Sequence, residues 1–242
     1  MTIQMFAKKA AVLLSAVFLS ACQIGSDDDT PSPQPSEEIA ESFLRAIHAS
    51  PDAPAVDIYL DNQLALPEVS YQQASGFLTA IAGLSTVKIN VAGTETTAIE
   101  AELNLVEGEY ISVFAVNNVN AIEPLVLTDT NMPPSAGALK IKALHAAPNV
   151  PEVDIYVTAP GVDIAMTEPT LSSVPFKGSS DYLEIPQGNY QVRITLAGSK
   201  SIAYDSGPIG LDEGLVLTAA AIETEEGPSP VKLMVLTNLD DA

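Results

Sequence analysis

The chain has 242 residues, a formal net charge of −21, ten Lys and Arg against 31 Asp and Glu, one Cys and no Trp. A surface so acidic repels nucleic acid and anionic headgroups, which excludes DNA, RNA and heparin-like partners. One cysteine allows no intrachain disulfide, so the folded part depends on its cores alone.

In chain order, Lys8 and Lys9 precede an apolar stretch over residues 10–21. Twelve helical residues reach only about 18 Å, short of a ~30 Å hydrocarbon core, so residues 1–21 read as an export signal rather than a span. The stretch ends Leu19-Ser20-Ala21-Cys22, which resembles the bacterial lipobox. That resemblance implies cleavage before Cys22, acylation of its thiol, and a Gram-negative lipoprotein anchored to the membrane. Gln23, where an Asp would mark inner-membrane retention, points to the outer membrane. Loss of Lys8 and Lys9 with the signal takes the charge from −21 to −23. Residues 22–40 hold Asp27-Asp28-Asp29 and Pro31, Pro33 and Pro35, with few apolar groups. This composition predicts a disordered acidic tether.

A phrase written twice organises the rest. His48-Ala49-Ser50-Pro51-Asp52-Ala53-Pro54-Ala55-Val56-Asp57-Ile58-Tyr59 returns as His145-Ala146-Ala147-Pro148-Asn149-Val150-Pro151-Glu152-Val153-Asp154-Ile155-Tyr156. The spacing of 97 residues, from His48 to His145, is one small domain per copy rather than a solenoid repeat. Glu37 to Leu44 alone would suit a helix. The second copy enters its phrase through Leu139-Lys140-Ile141-Lys142-Ala143-Leu144, with the period of 2 of a strand, so residues 43–48 are predicted as a strand too.

Further strands are predicted at 56–61, 76–80, 86–92, 98–104, 110–117 and 121–128, and in the second copy at 153–158, 180–185, 190–197, 200–206, 215–223 and 232–236. Gly, Asn and Pro turns separate them. Val87-x-Ile89-x-Val91-Ala92-Gly93 matches Val192-x-Ile194-x-Leu196-Ala197-Gly198 at a spacing of 105, so the second copy carries about eight extra residues near 159–163. The expected fold is all-β: two tandem antiparallel β-sandwiches, immunoglobulin-like or transthyretin-like, over residues 41–130 and 138–238. The short joint between them predicts domains that touch.

The phrase resembles the opening R-x-x-H-A-S-P-D-A-P-x-V-D-V-Y of the bacterial family catalogued as domain of unknown function 4397. The first copy follows it from Arg45 to Tyr59; the second departs at Lys142, Ala147, Asn149 and Glu152. The resemblance implies an exported, envelope-associated β-domain and supplies no catalytic residues.

By parity, His48 shares a face with Leu44 and Ala46, and His145 with Leu139, Ile141 and Ala143, so both imidazoles should point into a core. The prolines Pro51, Pro54, Pro148 and Pro151 should stiffen an extended loop linking adjacent strands. Val56, Ile58 and Leu60 should point inward, with Asp57 and Tyr59 on the other face, as for Asp154 and Tyr156. The expected role of these residues is structural, each His holding its loop by hydrogen bonds to backbone or to an Asp.

A metal or catalytic site of His48 with Asp52, Asp57 or Asp61 is the rival. One His per domain is a poor zinc set, and no EF-hand spacing is present. Nucleophile-elbow, P-loop and H-E-x-x-H motifs are absent. The sequence therefore predicts no enzyme, cofactor or metal, and a non-catalytic binding or structural role with a protein or glycan partner. Its alternatives are a calcium-dependent adhesion module and an envelope hydrolase with an interdomain cleft.

Overall fold

A computed structural model describes residues 39–224 and 230–238. The export signal, Cys22 and the tether up to residue 38 lie outside them. Among the described residues, sixteen strands form four four-stranded sheets. Sheet A has the order β4 (Leu78–Ile81), β1 (Glu41–His48), β7 (Tyr110–Val116), β8 (Glu123–Asp129). Sheet B has β3 (Gln63–Val69), β2 (Val56–Leu60), β5 (Gly83–Val91), β6 (Thr97–Leu105). The second half repeats this order. Sheet C is β12 (Leu183–Pro186), β9 (Ala138–His145), β15 (Val216–Glu223), β16 (Val231–Thr237), and sheet D is β11 (Leu171–Val174), β10 (Val153–Thr158), β13 (Gly188–Leu196), β14 (Ile202–Leu211). The protein is thus all-β, with two sandwich-like domains.

The pairing is antiparallel except for one pair per domain: β1 runs parallel to β7, and β9 to β15. An immunoglobulin constant domain puts its first, second, fourth and fifth strands in one sheet. Here the first strand joins the fourth, seventh and eighth, the transthyretin-like alternative.

Alternation produces three cores rather than two. Leu44 and Ala46 of β1 meet Val56, Ile58, Val87 and Ile89 inside the first sandwich. Val153, Ile155, Val192 and Ile194 fill the second. The opposite faces of sheets A and C also pack together. Ile47, Phe114 and Val116 join Leu144, Ala220, Ile222 and Leu236 in one buried cluster. The layers therefore run B, A, C, D, and the space between the domains is filled with apolar side chains.

Two edge strands were not anticipated from the sequence: β3, which contains Pro67, and β11. Each pairs through a register break. At that break Glu68 (φ 53°) and Ser173 (φ 49°) take left-handed backbone, so simple alternation is lost. The extra residues of the second copy lie between β10 and β11, where the first copy has only the tight turn Asp61-Asn62 (φ 50° and 63°).

The second sandwich keeps a small apolar cavity of about 30 Å³, lined by Ala143, Ala219, Ala221, Leu183, Val192 and Leu233 among others. One side chain of its lining differs in size from its counterpart in the first sandwich. Ala46 neighbours Val113 in sheet A, and at the equivalent pair in sheet C Ala143 neighbours Ala219. Ala219→Val restores the missing methyls. It should raise stability by about 1 kcal/mol, read as a higher urea midpoint at unchanged slope; a lower midpoint would mean that the cavity is too narrow for the side chain.

Candidate functional site: the repeated phrase

The phrase carries the chain from one layer of each sandwich to the other, from β1 in sheet A to β2 in sheet B and from β9 in sheet C to β10 in sheet D. The expected link between adjacent strands is a crossover between layers. Prolines suit it, because a residue without N–H cannot continue the ladder. Pro51 and Pro148 are half-buried, and Pro54 and Pro151 lie exposed at the far side of the loop.

Both imidazoles are buried, His48 at 1% and His145 at 0% exposure. His48 Nε2–H donates to the Pro54 carbonyl at 3.0 Å, and Nδ1 accepts from the Ser50 N–H at 3.4 Å. His145 repeats this: Nε2–H is shared between the carbonyls of Val150 (3.2 Å) and Pro151 (3.1 Å), and Nδ1 accepts from the Ala147 N–H at 3.3 Å. A carbonyl can only accept and an N–H only donate, so each ring is the neutral Nε2–H tautomer. No Asp takes part. The backbone of each His is clasped as well, by Gln72 and Gln73 in the first copy and by Lys177 and Gly178 in the second.

Burial lowers the pKa of both imidazoles, against the pull of the Pro54 carbonyl on His48 and of the Pro151 and Val150 carbonyls and Glu223 on His145. The unfolded chain therefore takes up these two protons near pH 6.5, while the fold resists until lower pH. Their contribution to stability is complete above about pH 6.5 and declines as pH falls below it. The midpoint difference between the wild type and the His48→Gln/His145→Gln variant should shrink below that pH. A difference independent of pH would contradict buried neutral rings.

The two Asp residues act as staples. Asp57 accepts from the Glu68 N–H at 2.8 Å through Oδ1 and from the Gly93 N–H at 2.9 Å through Oδ2. Asp154 accepts from Ser173 N–H (2.8 Å) and Gly198 N–H (2.9 Å) in the same way. Each thus ties the edge-strand bulge to the turn after β5 or β13, where Gly93 (φ 69°) and Gly198 (φ 73°) need left-handed backbone. The Glu68 N–H first, then that of Gly93, holds the Asp57 carboxyl below the ordinary Asp range. Tyr59 is half-buried on the outer face of sheet B, whereas Tyr156 is 1% exposed and accepts from Lys200 Nζ at 3.0 Å.

Asp52 and Asn149 hold neighbouring loops. Asp52 accepts from the Val119 N–H at 2.7 Å. Asn149 exchanges two amide hydrogen bonds with Asn118 across the domain junction and donates to Glu223. Asp61 accepts from the Thr86 N–H. Among the described residues, no group of three or more His, Cys, Asp or Glu is placed to hold a metal ion.

Sequence reasoning missed a polar cluster that begins at the first residue of the family motif. Arg45 is 2% exposed. It donates to Ser112 Oγ at 2.6 Å and Asp129 Oδ2 at 2.9 Å, and across the junction to the Thr237 carbonyl at 2.8 Å and Asn238 Oδ1 at 2.7 Å. Lys142 stands at the equivalent place. It donates back across the junction to the Thr128 carbonyl at 2.6 Å. Arg45 lies over the Phe77 ring at 4.6 Å, and Lys142 over Tyr182 at 4.4 Å. The two domains thus meet as the halves of an isologous dimer do, each presenting the same patch to the other.

Asp129 is the carboxylate at the centre, also bonded by Ser112 Oγ–H and by Tyr182 O–H at 2.9 Å. Burial, then the charge of Asp129, pushes the Tyr182 hydroxyl up to about 12. Burial lowers Lys142, with Asp129 and Asp181 opposing. At the other end of the junction Lys177 pairs with Glu123 at 3.0 Å, and Lys232 bonds Gln72. The detectable signal was a cation at the same step before each His.

The geometry defines a class: a β-sandwich protein whose recurrent polar residues brace its own loops and domain junction. The family model described as "Domain of unknown function (DUF4397)" matches residues 42–156, the first sandwich together with the second copy of the phrase, and this match supports that domain family. No curated protein matches. Solved structures similar to the chain include the family 26 carbohydrate-binding module of Eubacterium rectale Amy13K in complex with maltoheptaose, at 10% identity and TM-score 0.27, covering 82% of this chain and 98% of that one. Another comes from work titled as α-glucan binding by a streptococcal virulence factor, at 10% identity and TM-score 0.26, covering 73% and 93%. No ligand is carried over from likenesses this distant.

Proposed function

We propose that the protein is a cell-envelope lipoprotein, anchored in the outer membrane through acylated Cys22, with a non-catalytic binding or structural role carried by two fused sandwich repeats. The observation that supports the non-catalytic reading is the commitment of the phrase's reactive groups: both nitrogens of His48 and His145 are bonded to backbone groups of their own loops, and both oxygens of Asp57 and Asp154 to backbone N–H groups of the neighbouring edge strand and turn. A general base needs a free lone pair within reach of a substrate; the imidazole lone pair of each His is taken by a backbone N–H, and the Asp57 and Asp154 carboxylates are buried, each held by two backbone N–H groups. The packed cluster between sheets A and C occupies the place of an interdomain cleft. The acidic Pro-rich tether would hold the sandwiches away from the lipid.

Two measurements test this. Cells fed an alkyne-tagged palmitate should label the wild type in the outer-membrane fraction, and Cys22→Ser should be unlabelled and soluble; label retained on the Ser variant would refute the anchor. His48→Gln should lower the melting temperature, since it removes a buried ring bonded at both ends. An unchanged melting temperature would turn His48 into a candidate functional group.

A further inference from the structure

The two repeats differ most on the outer faces of sheets B and D. On sheet D, residues 159–170 lie across the face. Arg193 donates to the Val162 carbonyl at 2.8 Å, Lys200 to the Thr167 carbonyl at 2.6 Å, and Gln191 Oε1 accepts from the Gly161 N–H at 2.8 Å. Ile164, in a short turn of this segment, is 5% exposed, yet belongs to neither sandwich core nor to the junction cluster. Beneath lie Tyr156 at 1% and Arg193 at 5% exposure.

Sheet B carries the same row of residues, and among the described residues no segment corresponding to 159–170 lies between β2 and β3 to cover it. Leu64 lies opposite Tyr59, Tyr59 opposite Lys88, and Lys88 opposite Glu100. The row in sheet D is Tyr156, Arg193, Asp205. Leu64 is 51% exposed. The Lys88 side chain makes no hydrogen bond or ion pair among the described residues, unlike that of its counterpart Arg193. One charge is reversed: Lys200, which fastens the covering segment of sheet D, corresponds to exposed Glu95 in the equivalent turn.

We propose that the outer face of sheet B, at Tyr59, Leu64 and Lys88, docks a polypeptide segment of a partner protein that brings an aliphatic side chain and a basic one. The second repeat shows what this face takes, a looped segment with a buried aliphatic residue and carbonyls turned to the central cation. Glu95 in place of Lys200 asks the incoming segment for a cation. The proposal rests on the non-catalytic binding reading and names its partner class.

The test uses the mature chain and a fluorescent peptide copying residues 159–170 with the change E168K, followed by anisotropy. Saturable binding is expected, weakened about tenfold by Lys88→Glu and by Leu64→Asp at unchanged melting temperature. A chain in which residues 159–170 replace residues 61–62 should cover the face in cis and bind no peptide. Absence of saturation, or equal affinity for all variants, would overturn the proposal. So would displacement of the peptide by phosphatidylethanolamine vesicles or soluble peptidoglycan fragments. Failure here leaves standing the melting test of His48→Gln, by which the non-catalytic reading is judged.

Discussion

Arg45→Ala should destabilise the protein by about 3–5 kcal/mol, the largest single loss expected at a polar residue. The side chains of Arg45 and Asp129 are 3% and 0% exposed. Truncation leaves the Asp129 carboxylate without the cation bonded to it in a place closed to water, and leaves the Thr237 carbonyl and the Asn238 Oδ1 without a donor. The remaining Ser112 and Tyr182 hydroxyls supply hydrogen bonds but no charge. At about 2–4 °C per kcal/mol for a domain unit of this size, melting should fall by roughly 6–20 °C. Arg45→Lys should retain much of the loss-sensitive charge and lose the forked contact, for an intermediate effect. Arg45→Met with Asp129→Leu should recover most of the stability, because removing both charges removes the desolvation penalty with the attraction. Equal melting of wild type and Arg45→Ala would show that the junction is open to water.

Phe114→Ala should cost about 3–5 kcal/mol, measured by urea unfolding. Phe114 is 0% exposed in the junction cluster, and its counterpart in sheet C is Ala220, also 0% exposed. The registers establish the pairing: Ile47 neighbours Phe114, and Leu144 neighbours Ala220. The two patches are alike in plan but complementary in volume, one large side chain against one small. Ala220→Phe alone overpacks the cluster, at about 1–3 kcal/mol. The exchanged pair, Phe114→Ala with Ala220→Phe, should lose less than the two single losses combined, with a coupling of about 0.5–3 kcal/mol. Strict additivity would place the two residues in separate environments.

Period-2 alternation made the strands on either side of each His legible, together with the inward Val-Ile face of β2 and β10. It could not show that the other face of β1 and β9 is also covered. In Leu139-Lys140-Ile141-Lys142-Ala143-Leu144 the charged positions look solvated, and only a neighbouring layer buries Lys142 to 8% exposure. Ile47 and Leu144 were the local hint, apolar residues on the charged face. The parallel pairing of β1 with β7 depends on contacts between residues 67 apart, as at Ser42 and Glu109, which no local pattern encodes. The edge strands escaped because Glu68 and Ser173 break the alternation that would reveal them. The doubled phrase was visible at once, but its bonds to backbone N–H and carbonyl groups follow from the path of the loop, not from the identity of the residues around it.

The central claim is that the two sandwiches are one folded unit joined by a buried, two-fold-like junction. A protease site inserted between exposed Ser135 and Ala136 tests it in the full chain. After complete cleavage the halves should elute together at the mass of the intact protein and melt in one transition, with Arg45→Ala lowering that transition or releasing the halves. Halves of the wild-type sequence that separate on the column, or melt independently, would contradict it.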